Sequence, residues 1–154
     1  MGLLNWLSGA SKPTAGRFGK DRYKPSGVWV QTTMMVSVAG TSFRRPQAAS
    51  FANAVRRAER SGARYGVRLS PEPSNPHDAN AIAVYGAIDD RSWHVGYLDR
   101  ETAEEITRDL VSQGVPIAAE LYEIWVGSEG HIDIKIIVLA PSGHGVKARM
   151  RRWA

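Results

Sequence analysis

The rhythm of apolar positions changes several times along the chain. From Val28 to Val38 it is β-branched and aromatic with no helical period. This predicts a strand region, bent or broken near Thr32-Thr33. Gly40 ends it, and Thr41 to Arg45 reads as a loop. Pro46 suits the first helical position, where a missing N–H costs nothing. Ala48, Phe51, Ala52, Val55 and Ala58 then recur at helical spacing, with Arg56, Arg57 and Arg60 off that stripe and Gly62 as the stop. Arg64 to Leu69 alternates: Tyr65, Val67 and Leu69 share one face, Arg64 and Arg68 the other.

The next stretch, Glu72-Pro73-Ser74-Asn75-Pro76-His77-Asp78-Ala79-Asn80, cannot be helical. Each proline lacks a donor and pushes its predecessor out of the helical region. Asn75, Asp78 and Asn80 have short polar side chains suited to pinning a turn. Ala81 to Tyr85 follows as a strand closed by Gly86, Asp89-Asp90-Arg91 as a hairpin connection, and Ser92 to Leu98 as the next strand. Asp99 is a good N-cap for a helix carrying Ala103, Ile106, Leu110 and Val111 on one face and ending at Gly114. Two long strands, Pro116 to Val126 and Ile132 to Leu139, complete the pattern, the second with clean period-two alternation. The order is β-α-β-β-β-α-β-β. It predicts one α+β domain over residues 28–140, a small, strongly bent sheet or barrel with two helices packed outside. Residues 1–27 read as a flexible basic arm and 141–154 as a basic tail, with Trp6 and Trp153 as anchors for a protein partner or a second copy.

Composition narrows the classes. The 154 residues are 43% hydrophobic and 23% charged, ordinary for a globular domain. Cysteine is absent, which excludes disulfides, thiolate zinc sites and a cysteine nucleophile. No apolar run approaches the ~20 residues that span a membrane, and a cytoplasmic location is expected. The net charge of +5 is unevenly placed. Residues 28–70 carry seven arginines against one acidic residue, while residues 71–140 carry thirteen acidic residues against four basic ones. Such asymmetry suits an oriented approach to a polyanion.

The residues Asn75-Pro76-His77-Asp78-x-Asn80-Ala81-Ile82-x-Val84, then Val95-Gly96-Tyr97-Leu98 and a helix, resemble the HIRAN domain. Val38-Ala39-Gly40-Thr41-Ser42-Phe43 resembles its first strand and loop. That domain occurs fused to SWI2/SNF2-type repair translocases and as a stand-alone bacterial and phage protein. The resemblance implies a β-barrel related to OB and SH3-like barrels. It also implies binding of single-stranded DNA at its 3′ end, in DNA repair or replication-fork processing. Asp78 would accept the terminal 3′-hydroxyl, and Phe43 and His77 would stack on the end bases. Asn75, Arg44, Arg45, Tyr97 and Arg100 would orient or hold the strand. Two departures stand out: His77 falls where the repair proteins often have Tyr, and Ser42 where they have a basic residue.

The residues themselves keep other readings open. Phe43, His77 and Tyr97 interleaved with arginines suit stacking on bases, yet the same rings could be core and the arginines solvated. His77, Asp78, His94, His131 and Asp133 are metal-ligand types, although nothing in their spacing brings them together. No Gly-x-Ser-x-Gly elbow and no phosphate loop occurs. The expectation is a DNA-binding module without catalysis, metal or cofactor. The alternative is a protein-interaction module in which the DNA pocket is vestigial.

Overall fold

The computed structural model describes residues 12–151, so Trp6 and Trp153 lie outside the described residues. Within that span eight strands and three helices run in the order β1 (Gly16–Phe18), β2 (Trp29–Gln31), β3 (Val36–Ser37), α1 (Arg45–Ser61), β4 (Gly66–Pro71), β5 (Ile82–Ile88), β6 (Arg91–Tyr97), α2 (Arg100–Asp109), β7 (Ala118–Val126), β8 (Ile132–Pro141) and α3 (Val146–Arg151). The expected strand 28–38 is broken where Thr32-Thr33 intervenes, because both threonines turn into the structure and bond β8 and its surroundings. The Thr33 hydroxyl accepts from Val138 N–H at 3.1 Å, and Thr32 N–H donates to the Val138 carbonyl at 2.9 Å.

The strands form two antiparallel sheets. One has the order β1-β7-β8-β2, with β3 also on β8; the other is β4-β5-β6. The expected barrel is not closed. One seam is spanned by a single bridge between Ala39 and Tyr97, whose N–H···O bonds measure 2.8 and 2.9 Å. At the other seam β4 runs close to β7 but is laddered only to β5. The core lies between the sheets and under α1, filled by Phe51, Val55, Val84, Val95, Ile106, Leu121, Ile134 and Ile136. Gly86 lets α1 approach the sheet, since a Cβ there would stand 2.4 Å from the Phe51 ring.

Both terminal segments do more than the sequence suggested. The arm contributes β1, paired with β7, and Arg17 and Arg22 form ion pairs with Glu123 and Glu120 of β7. Those two glutamates are buried, and a buried carboxylate holds its charge only with a partner, so the arm is drawn onto the sheet. The tail contributes α3. Its buried Arg149 donates to Asp109 at 2.8 Å and to the Thr32 carbonyl at 2.9 Å. Burial alone would raise the Asp109 pKa, but hydrogen bonds from Arg108 and Arg149 outweigh it and hold the carboxyl below its usual range. No helix among the described residues is long and apolar enough to cross a membrane.

Candidate nucleic-acid interface

The turn between β4 and β5 is held by its own side chains. Asn75 Oδ1 accepts from His77 N–H at 2.9 Å and Asp78 N–H at 3.1 Å. Asp78 Oδ1 accepts from Asn80 N–H at 2.9 Å. These two Asx turns lock the segment that Pro73 and Pro76 keep from folding into a helix. Asn75 Nδ2 donates to Glu72 Oε1 at 3.0 Å, and the Tyr97 hydroxyl donates to the same oxygen at 3.1 Å. Glu72 thereby fixes which end of the Asn75 amide faces the turn. It was absent from the residues singled out in the sequence. The signal was its three-residue offset from Asn75, within reach of a shared turn.

A cleft of about 260 Å³ opens beside this turn, lined by Asn75, His77, Asp78, Tyr97 and Arg100 with Ala81 and Leu98 at its base. Five of the eight expected site residues therefore meet in one place. Phe43, Arg44 and Arg45 do not line it. They sit on the 3-10 turn Thr41–Arg44 and the first residue of α1. The Thr41 hydroxyl pins that turn to the Ile132 carbonyl at 2.9 Å. Arg44 reaches back, its guanidinium 5.8 Å from the centre of the Tyr97 ring. Phe43 stands into solvent with 92% of its surface exposed, so it is not a core ring.

Tyr97 reaches the cleft through an irregularity. Along β6, strict alternation would put Tyr97 on the face of Trp93 and Val95, under α1. The pairing instead slips: Tyr85 lies opposite His94, but Val84 opposite Gly96 and Ala83 opposite Tyr97. Val95 is the extra residue, and this bulge turns Tyr97 to the outward face beside His94. Gly96 is required there because a Cβ would stand 2.2 Å from the Ala39 carbonyl oxygen. Burial, then the bond to Glu72, pushes the Tyr97 hydroxyl pKa up. Burial, then nearby Arg44, pushes the His94 imidazole down.

The remaining candidate ligands stay apart. His131 rests against Trp125 in the other sheet, and His94 stacks on Tyr85. Among the described residues no three His, Asp or Glu side chains converge into a metal-binding group.

Comparison with known proteins adds the lineage. The model of the HIRAN domain matches residues 32–124. No curated protein matches the chain. Among solved structures, a protein from Lactobacillus plantarum is similar at 20% identity, with 73% of this chain and 97% of that one covered and a TM-score of 0.47. The HIRAN domain of human HLTF is similar at 16% identity, with 82% and 93% covered and a TM-score of 0.46.

Proposed function

The chain belongs to the HIRAN domain family, a family of DNA-binding domains, and from that premise we propose that it reads the free 3′-hydroxyl end of single-stranded DNA without catalysing a reaction. The observation that carries this reading is the state of Asp78. Its Oδ1 is used by the turn, while its second oxygen has no hydrogen-bond partner among the described residues, and the side chain lines the cleft. A carboxylate oxygen accepts hydrogen bonds and repels phosphate. It therefore suits a terminal hydroxyl and disfavours a 3′-phosphate. Tyr97 and His77 offer ring surface to the last bases. Arg100, which lines the cleft, and Arg44, beside the Tyr97 ring, suit the phosphates behind them. Phe43, exposed on the neighbouring turn, would stack only when a strand brings it a partner. Free 3′ ends arise in DNA repair and at replication forks, the settings in which such a module would act.

Fluorescence anisotropy with short strands ending in 3′-OH or 3′-phosphate, at two salt concentrations, tests the reading. Tighter binding of the 3′-OH strand, retained at the higher salt, is expected. Equal binding of both strands, abolished by salt, would mean that only general charge attraction is at work.

A further inference from the structure

One face of the β4-β5-β6 sheet is covered by α1, where Phe51 meets Trp93. The other face carries a row of planar side chains, of which only Tyr97 belongs to the end pocket. Across the three strands Arg68 pairs with Tyr85 and Tyr85 with His94. The Arg68 guanidinium lies 5.0 Å from the Tyr85 ring centre. The Tyr85 and His94 rings are stacked at 4.7 Å and 24°. His94 meets Tyr97 edge-on at 5.0 Å, and Tyr97 reaches the pocket. Along this row Arg68 is exposed and Tyr85, His94 and Tyr97 are half-buried, and Arg44 of the Thr41–Arg44 turn reaches the Tyr97 end. The strand residues sharing the face, including Ser70, Ala83, Ala87 and Ser92, carry no acidic side chain.

The interior of the row is already stacked on itself, so Tyr85 and His94 act as spacers rather than as platforms. Its open surfaces are its ends: Tyr97 at the pocket and the exposed outer plane of Arg68. We propose that Arg68, propped on Tyr85, is a second contact for the strand whose 3′ end occupies the pocket. Its guanidinium plane stacks on a base to the 5′ side and its charge attracts the adjoining phosphate. The inference rests on the end-reading proposal above, with which the row is continuous. Two strand spacings of ~4.8 Å separate β6 from β4, so the contact lies on the order of 10 Å beyond Tyr97's strand. At ~3.4 Å per stacked nucleotide that is about three nucleotides behind the end.

The test uses the whole chain and 3′-OH strands of about three and about eight nucleotides, with 3′-phosphate partners. Arg68→Ala should weaken the long strand about tenfold and leave the short one unchanged. Arg68→Lys should recover only the part lost at higher salt, because it restores charge without the plane. The preference for 3′-OH should be untouched in both variants. Intact end preference with long and short strands bound equally, and no effect of Arg68→Ala, would overturn the second contact alone. Loss of end preference in the unmutated protein, with length- and Arg68-dependent binding retained, would overturn the end reading while keeping Arg68 as a strand contact.

Discussion

Replacing Asp78 by Asn separates the chemistry of the terminus from the geometry of the turn. The Asn side chain keeps an oxygen for the Asn80 N–H, now accepted by Asp78 Oδ1 at 2.9 Å. The backbone N–H of residue 78 still donates to Asn75 Oδ1 at 3.1 Å. Only the second oxygen changes, from an anionic acceptor to an NH₂ donor. The fold should therefore lose no more than about 0.5 kcal/mol, as for a surface exchange away from core and caps. A hydrogen bond to a charged acceptor is worth about 1.5–3 kcal/mol, so affinity for a 3′-OH strand should fall about ten- to hundredfold. A 3′-phosphate strand should move the other way. The repulsion relieved at ~4 Å lies between about 1 and 4 kcal/mol per charge, depending on local screening. Competition anisotropy at constant salt, beside a thermal melt, reads both quantities. A variant with unchanged stability and an unchanged ratio of 3′-OH to 3′-phosphate affinity would refute the assignment of Asp78 to the terminus.

Gly96→Ala would drive a Cβ to within 2.2 Å of the Ala39 carbonyl. It should cost about 1–3 kcal/mol in urea denaturation, as overpacking does, and weaken strand binding because the Ala39–Tyr97 bridge positions the ring. Glu72→Ala strips the shared acceptor from Asn75 and Tyr97. A severalfold loss of affinity for 3′-OH strands is expected in anisotropy, with Glu72→Gln recovering it because an amide oxygen can accept both bonds. Asp109→Asn should destabilise the protein by about 3 kcal/mol, the lower end for breaking a buried pair, because Arg149 keeps its bonds to Thr32. The folded pKa of Asp109 is depressed. Its contribution is thus complete above the unfolded value and disappears as pH falls through the folded one. Unfolding followed from pH 7 downward should show a steeper acid loss for the unmutated protein than for Asp109→Asn.

Much of the element order was legible because each element carries a local signal. The stripe from Ala48 to Ala58, Asp99 as cap and Gly62 as stop act within one or two turns of chain; α1 ends at its cap Gly62 and α2 begins at its cap Asp99, although α2 stops at Asp109, short of the expected Gly114. The cleft was legible in part for the same reason. Asn75, His77 and Asp78 lie within four residues, and their turn closes on itself. Features that depend on partners distant in sequence were not legible. Closure of a barrel requires β4 and β7 to exchange hydrogen bonds, and alternation in Gly66–Pro71 or Ala118–Val126 does not encode whether they do. The strand in the arm is specified by Glu120 and Glu123, about a hundred residues away, whose burial demands Arg22 and Arg17. The helix in the tail hangs likewise on Asp109.

The outward face of β4-β5-β6 is the sharpest case. Period-two reading of Ser92 to Leu98 assigns Trp93, Val95 and Tyr97 to a single face and His94 to the other, with Ser92, Gly96 and Leu98. A single slipped pair reverses that for Tyr97, and for Gly96 with it. The slip is stabilised from outside the strand: Ala39 bridges Tyr97, Gly96 makes room for it, and Glu72 holds the hydroxyl. None of these partners is within twenty residues of Tyr97 except Gly96. The bulge joins the pocket to the row ending at Arg68, for without it Tyr97 would point under α1 and the two surfaces would be separate. A functional surface made by breaking alternation is invisible to a reading that relies on alternation. Here the break is where the two sheets meet.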